Sequence, residues 1–501
     1  MYDTNHLISR LSAASTGRGD APFAHLPDGS VTSFGALFAG AERMAAALVQ
    51  SGVRPGDRVA VQVAKTIEAI ELYLGTVMAG AVFLPLNPAY TTPEVAYFLG
   101  DATPSVVVCD PARLDEISGI AGPATVMTLG ADGRGTLRDL ADQQDGFDAV
   151  ARGPDDLAAI LYTSGTTGRS KGAMLSHANL ASNSETLRDY WQFTAADTLI
   201  HALPIFHTHG LFVATNVALL AGAQVVFLPG FDLDAILTAM PRATALMGVP
   251  TFYTRLLGDA RLTKERAANM RLFISGSAPL LVDTHEEWQA RTGHRILERY
   301  GMTETNMSTS NPYDGERRAG TVGFPLPGVE ARVMDDDGVV APGTIGVLHV
   351  RGSNVFQGYW QMPEKTAEEL LPDGWFITGD LARIDADGYV SIVGREKDLI
   401  ITGGFNVYPK EVESLIDDLP GVLESAVFGV PHPDFGEAVV AVVVASDPTL
   451  DVDAITGELA QQLARYKQPK QVIRIDALPR NTMGKVQKKA LREEYAGLFA
   501  T

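Results

Sequence analysis

Cysteine is nearly absent, with Cys109 standing alone in 501 residues. That excludes an internal disulfide and a cysteine-based metal cluster, and it suits a reducing compartment. Cys109 itself, in the apolar run around it, reads as a buried strand residue rather than a nucleophile. Positive charge is scarce as well. The formal net charge is -20, so the basic face that nucleic acid or an anionic membrane requires is missing, and any anionic substrate must be held by a few local cations. Long apolar runs are lacking too. The stretch nearest to membrane length, 67–86, is interrupted by Glu68 and Glu71, and the N-terminal fifteen residues have no continuous apolar core of the secretory kind. The expectation is a cytoplasmic protein with neither nucleic acid nor membrane as partner.

What is present is enough apolar material for more than one core. At 46% hydrophobic over 501 residues, the chain exceeds what a single core supports. Residues 58–63, 81–85 and 105–109 read as buried strands, with helical stretches opening at Thr66 and Thr92 between them. The same rhythm returns in strands near 198–202, 224–227, 245–248 and 271–275, separated by helix-like segments that open at Gly210, Asp232 and Pro250. Between Gly320 and Gly358 the texture turns to short alternating strands with Gly and Pro turns. The predicted fold class is α/β: a large N-terminal domain, 1–394, of two doubly wound, mostly parallel sheets plus a small β-barrel-like subdomain, and a small mobile α+β C-terminal domain, 395–501. The boundary falls in the charged stretch 394–398.

Residues 162–172 read YTSGTTGRSKG. Glycines, hydroxyls and two cations after an apolar run are the materials of a phosphate-holding loop that follows a buried strand. The spacing rejects a Walker loop: Gly165 is followed by only two residues before Gly168, Lys171 is preceded by Ser170, and Gly172 stands where the metal-binding hydroxyl belongs. Glycine backbone can approach an anion closely, Thr163, Ser164, Thr166 and Thr167 can donate to phosphate oxygens, and Lys171 can neutralise them. A nucleotide triphosphate is the expected ligand.

Three further motifs carry chemistry. Tyr300-Gly301-Met302-Thr303-Glu304 places a glutamate in an expected loop after a helix-like segment from Asp283, where it could coordinate magnesium against phosphate or be an ordinary surface carboxylate. Thr378-Gly379-Asp380 offers a carboxylate, expected in a tight turn, for a ribose diol, and Arg395 follows it. Asn481-Thr482-Met483-Gly484-Lys485 holds one lysine on a loop ahead of Lys488 and Lys489, which read as a solvated helix face.

In their order and spacing these motifs resemble the adenylate-forming enzymes, and the likeness to acyl-CoA synthetases runs the whole length: the phosphate loop, YGMTE at 300, TGD at 378, GREKDLIITGGFNVYP at 394 and PRNTMGK at 479. Through HALPIFHTHGLFVATN at 201, GVPTFYTRLL at 248, LFISGSAPLL at 272 and ERYGMTETNMSTSNPYDG at 298, the chain is most similar to the malonyl-CoA synthetases. The resemblance implies a two-step ligation in which malonate attacks the α-phosphate of ATP, pyrophosphate leaves, and coenzyme A takes the acyl group.

It also implies roles. Thr163, Ser164, Gly165, Thr166, Thr167, Gly168 and Lys171 would grip the β- and γ-phosphates, with Glu304 and Thr163 holding Mg2+. Thr303 would touch the α-phosphate, and Asp380 and Arg395 the ribose. The adenine would lie against Gly276, Ser277, Ala278, Pro279 and Tyr300, and Glu298, Gly301 and Met302 would also belong to the nucleotide site. Lys485 would bridge carboxylate and α-phosphate during adenylation, and lysine-acetylation machinery acting on it is a further candidate partner. Lys397 matches the hinge about which the small domain rotates between half-reactions, after which Gly403, Gly404 and Phe405 would line the pantetheine tunnel with His207 as its gate. His207 and His209 could instead be metal ligands, but no third ligand stands at suitable spacing.

Malonate keeps a second carboxylate after the first is activated, and a closed pocket must give it a cation and a donor. Arg255 is the expected cation, near the start of a helix, and Ser277 the donor. Thr208 and Met307 would close the pocket end, which favours a small acid. Methylmalonate, another short-chain acid or an aryl acid is the alternative substrate. An adenylation domain that loads a carrier protein, or a nucleotide-binding regulator without chemistry, is the alternative outside that class.

Overall fold

The computed structural model describes residues 2–163, 170–402, 405–481 and 484–499. Its first sheet has six strands, in the order Thr125–Thr128, Val106–Cys109, Arg58–Gln62, Val82–Pro85, Leu157–Thr163 and Lys171–Ser176. All pairings are parallel except the last, which folds Leu157–Thr163 and Lys171–Ser176 into a hairpin. The run Val106–Cys109 is buried throughout, Cys109 included, because helices cover both sheet faces. Alternation sends Val59, Val61 and Phe83 into one core and Ala60, Val82 and Leu84 into the other. Helix Ile67–Met78 is apolar on almost every side, is capped by Thr66, and is buried along its length.

The second sheet has nine strands and runs Phe324–Pro325, Asn306–Ser310, Leu297–Met302, Leu272–Ser275, Ala245–Gly248, Thr198–His201, Gln224–Phe227, Pro22–His25, Val31–Ser33. Its centre is parallel and its edges antiparallel. Helices Leu233–Ala239 and Pro250–Leu257 connect the parallel strands. Where a helix was expected from Gly210, the chain makes a π-helical turn, His209–Thr215, before Asn216–Ala221, a distortion that recurs at functional sites.

The β-rich subdomain extends further than its sequence texture indicated. Its strands Gly338–Val339, Val329–Asp335, Gly346–Gly352, Phe376–Ile384 and Val390–Arg395 form one antiparallel sheet, with helix Pro363–Glu369 interposed in sequence. Thr378-Gly379-Asp380 is therefore not a tight turn. It lies inside a nine-residue strand, irregular where Gly379 takes φ +67°, a left-handed conformation open to glycine at little cost.

Beyond residue 399 the chain builds an antiparallel sheet, with Gln471–Arg474 added in parallel, and helices Pro409–Asp417, Val452–Gln462 and Lys488–Glu494. Two apolar clusters there, around Val412 and Val427 and around Phe428 and Leu491, are drawn from that part of the chain alone. Lys488 departs from the expected solvated face. It lies 2.6 Å from Glu413 Oε1, and that same oxygen accepts the Val427 N–H at 2.9 Å, which ties the last helix to the sheet.

Candidate active site

The site lies where the large sheets, the β subdomain and the C-terminal part meet. Leu157–Thr163 ends where the phosphate loop begins and Lys171–Ser176 starts where it ends, with Thr163 opposite Lys171 in the hairpin register. Ser164, Gly165, Thr166, Thr167 and Gly168 lie outside the described residues, as do Gly403 and Gly404. The far end of the loop is held from outside: the Tyr97 hydroxyl donates to the Ser170 carbonyl at 2.8 Å.

Asp380 is the hub of the expected ribose site. Arg395 faces it in the strand register, with Nε 2.7 Å from Oδ1, and the Tyr300 hydroxyl hydrogen-bonds Oδ2. Arg395 is held above the ordinary arginine range by Asp380, Tyr300 and Glu304 against the opposing effect of burial. Both partners of Asp380 come from other motifs of the chain.

Glu304 is not the surface carboxylate of the alternative reading: it is 4% exposed. Tyr300 to Met302 finish the strand Leu297–Met302 instead of lying in a loop, and Thr303 and Glu304 occupy the turn that follows. Burial raises the Glu304 carboxyl, while its own backbone N–H, Tyr359, Lys171 and Arg395 oppose the rise. The Tyr359 hydroxyl lies 3.0 Å from Glu304 Oε1. No group of three or more His, Cys, Asp or Glu able to hold a metal occurs among the described residues. A cation here would therefore take Glu304, a hydroxyl such as that of Thr163, and oxygens from the nucleotide, which is the habit of magnesium rather than of zinc.

On the other side of the cleft stands a group that sequence reasoning did not single out. Alternation along Leu297–Met302 puts Arg299 on the face of Leu297, and Arg299 is 3% exposed. Gly276 makes room for it, since a Cβ there would lie 2.5 Å from the Arg299 Cζ. Neither Nε nor Nη2 of Arg299 finds a hydrogen-bond partner among the described residues. Burial brings its pKa down to about 9, which still leaves it cationic at neutral pH. Buried unpaired polar atoms cluster in the same region: His207 Nδ1, Thr208 Oγ1 and His209 Nε2. Ser277 takes φ +72°, an uncommon conformation for a residue with a side chain, and its Oγ reaches His209 Nδ1 at 3.3 Å. His207 is pulled down to about 3 by burial, Lys485 and Arg299, so its ring is neutral at physiological pH. Met307, 2% exposed, is fixed by its backbone: the Asn183 Nδ2 donates to its carbonyl at 2.8 Å and its N–H donates to Asn183 Oδ1 at 3.2 Å.

Arg255 is not brought into this group. It is exposed on helix Pro250–Leu257, its guanidinium 5.3 Å above the Phe231 ring, because the helix turns Phe252, Tyr253, Leu256 and Leu257 inward and leaves Arg255 on the outer side. Arg255 thus does not stand in a closed pocket, and the buried arginine of this region is Arg299. One period-2 signal was available: a lone arginine two residues after a core leucine in a strand of a parallel sheet.

The small C-terminal part supplies Lys485. Its loop is pinned by a reciprocal pair, Asn481 N–H to the Lys485 carbonyl at 2.9 Å and Lys485 N–H to Asn481 Oδ1 at 2.9 Å. Lys485 is exposed, yet charged groups of the site stand within reach of it: burial and Arg395 lower its pKa, Asp380 and Glu304 oppose the shift, and Arg299 adds to it. Lys397 faces the same cleft and is brought down to about 8 by burial and Arg395. Glu298 is buried beside His285, with Nδ1 and Oε1 3.6 Å apart, and its carbonyl accepts the Asn311 N–H. Phe405 is 56% exposed and stacks on Tyr466 at 4.7 Å.

A fold of two helix-covered sheets, a β subdomain and a small α+β part, with Asp380 paired to Arg395 and Glu304 buried among them, defines a nucleotide-activating ligase architecture. The family model of AMP-binding enzymes matches residues 11–360 and that of the AMP-binding enzyme C-terminal domain residues 411–485. The chain belongs to the AMP-binding enzyme family. Among solved structures it is similar to ATP-bound MatB from Rhodopseudomonas palustris, at 60% identity, TM-score 0.96, and coverage of 99% of this chain and 100% of that one. Against the apo form of MatB from Rhodopseudomonas palustris, at the same 60% identity and with 99% and 100% of the chains covered, the TM-score is 0.85. Among curated proteins it is 33% identical to the malonate–CoA ligase of Arabidopsis thaliana, over 98% of this chain and 91% of that one. It is 37% identical to the indoleacetate–CoA ligase of Aromatoleum aromaticum, over 91% of each.

Proposed function

We propose that this protein is an ATP-dependent malonyl-CoA synthetase. It adenylates malonate at the α-phosphate of ATP with release of pyrophosphate, then passes the malonyl group to the thiol of coenzyme A, giving malonyl-CoA and AMP. The observation that carries the substrate is Arg299, a buried guanidinium packed against Gly276 and close enough to His207 and His209 to lower their pKa values, with Nε and Nη2 unpaired among the described residues. A buried charge is costly unless paired, and the free carboxylate of malonate is the partner that a bidentate fork suits. A monocarboxylate would leave the arginine stranded, which is why the indoleacetate ligase offers the weaker analogy. The testing experiment is a panel of acids with ATP, magnesium and coenzyme A, read by pyrophosphate release. Malonate is expected to lead; a leading monocarboxylate would overturn the reading.

Within this reading, Lys171 and the loop hydroxyls hold the β- and γ-phosphates, Asp380 and Arg395 the ribose, and Gly276 to Pro279 with Tyr300 the adenine. Lys485 meets the charge that grows on carboxylate and α-phosphate oxygens, the kind of pre-placed stabilisation that usually dominates catalysis. Acetylation of Lys485 would remove that charge and stop the first step. Magnesium, held by Glu304 and Thr163 with nucleotide oxygens, would supply charge neutralisation for the leaving pyrophosphate. Chelation by excess EDTA is expected to abolish pyrophosphate release, and added Mg2+ to restore it; persistence of turnover in EDTA would remove the metal from the scheme. The lone buried thiol accords with a cytoplasmic setting, and none of the described helices is long and apolar enough to cross a membrane.

Residues 1–394 and 395–501 act as two domains, and Lys397 is the hinge. A proline there restricts the backbone dihedral that must change when the small domain rotates. Lys397→Pro is expected to leave malonyl-adenylate formation within a few-fold of the parent while slowing thioester formation at least tenfold. The reverse pattern, measured on the separated half-reactions, would show the hinge is misplaced.

A further inference from the structure

Lys171, the cation expected to face the triphosphate, already has an anion. Its Nζ lies 3.2 and 3.1 Å from the two carboxylate oxygens of Glu369 and 4.0 Å above the Tyr359 ring. Glu369 ends helix Pro363–Glu369 and is joined there by Lys365, 2.9 Å away. The hydroxyl of Tyr359, a side chain 2% exposed, lies 2.6 Å from Glu369 Oε2 and 3.0 Å from Glu304 Oε1. A single carboxylate thus touches the phosphate-loop lysine and, through one hydroxyl, the glutamate expected to meet the metal. None of the motifs that point to the chemistry contains Glu369 or Tyr359.

We propose that Glu369 is a positioning residue that stands in for the triphosphate at Lys171 and is displaced from it when nucleotide binds. An incoming phosphate must take Lys171 from a half-buried, charge-assisted pair. The enzyme state competent to bind is only part of the total, and the apparent affinity for ATP falls by that fraction. The same exchange runs backwards when pyrophosphate leaves, because Glu369 is at hand to take Lys171 back. Glu369 therefore weakens the hold on ATP and speeds the loss of pyrophosphate. The inference rests on Lys171 being the cation of the triphosphate.

Glu369→Gln keeps the shape and an acceptor oxygen but removes the charge. Direct titration of the full-length enzyme with ATP and with pyrophosphate, each with Mg2+, is expected to give dissociation constants about three- to tenfold lower than in the parent, as loss of a partly buried competing pair implies. Pyrophosphate should become a correspondingly stronger product inhibitor. A merely structural lesion would weaken both ligands, so unchanged or weaker binding overturns the proposal. Lys171→Met separates the two levels of the claim. It should weaken ATP at least tenfold, and in that background Glu369→Gln should have no further effect, the non-additivity of a shared interaction. If Lys171→Met leaves ATP binding intact, the reading of Lys171 fails and the inference with it. If Lys171→Met weakens ATP but Glu369→Gln does not tighten it in the parent, Glu369 is only a helix-end carboxylate.

Discussion

Lys485→Ala is expected to lose synthesis of malonyl-CoA from malonate and ATP by roughly a hundredfold or more, the scale seen when one pre-placed stabiliser of transition-state charge is removed, while still converting supplied malonyl-adenylate to the thioester within a few-fold of the parent rate. The asymmetry follows from where the lysine comes from. Its loop belongs to the C-terminal part, yet its side chain reaches the charges of Arg395, Asp380, Glu304 and Arg299, and lowers the pKa of His207. Lys485 thus comes to this site from the C-terminal part, and the proposed rotation would withdraw it before coenzyme A reacts. The two half-reactions are measured separately, by pyrophosphate release and by thioester formation from adenylate. Equal loss in both would mean that Lys485 maintains the fold of its loop or serves a site that does not rotate.

Much of this was legible in the sequence because the chemistry is written in short motifs and the fold in long periods. The parallel strands around residues 58–109 and 198–275 announce themselves as apolar runs between amphipathic stretches, and burial on both sheet faces is what keeps those runs unbroken. Asp380 and Arg395 could be named as partners, but not that they face each other across an antiparallel ladder, because the strand containing Thr378-Gly379-Asp380 has a glycine at a bulge and reads locally as a turn. The π-helical turn at His209 was hidden for a similar reason: its residues suit an ordinary helix, and only tertiary packing sets the wider turn. Lys488 was misjudged because a lysine on a polar stretch looks solvated until the buried Glu413 is placed opposite it. Tyr359 and Glu369 lie outside the motifs quoted from the sequence. Their significance lies in distances to Glu304 and Lys171, far away in the chain, and no local pattern encodes such distances.

The arginine proposed to select the substrate shows both the reach and the limit of that reasoning. A second carboxylate demands a cation, and sequence reasoning settled on Arg255, on a helix, and passed over Arg299. Burial separates the two. Arg299 is enclosed, with Nε and Nη2 unpaired among the described residues, whereas Arg255 is exposed above Phe231. Removing one member of a buried charge pair typically costs about 2 to 5 kcal/mol, and each 1.36 kcal/mol is about tenfold in rate. Arg299→Ala is therefore expected to lower kcat/KM for malonate by roughly thirtyfold to several thousandfold. Butyrate has no distal charge to strand, and the same change relieves it of an unpaired guanidinium, so its kcat/KM should fall far less or rise. The ratio of the two constants, at saturating ATP and coenzyme A, cancels any general loss of folded enzyme, and Arg299→Met repeats the test with most of the side-chain volume kept. Arg255→Ala, at an exposed position, should leave that ratio within about threefold, as surface changes usually do. A collapse of the ratio in Arg255→Ala with none in Arg299→Ala would return the carboxylate to the helix and leave Arg299 as a buried cation whose partner must be sought on the nucleotide.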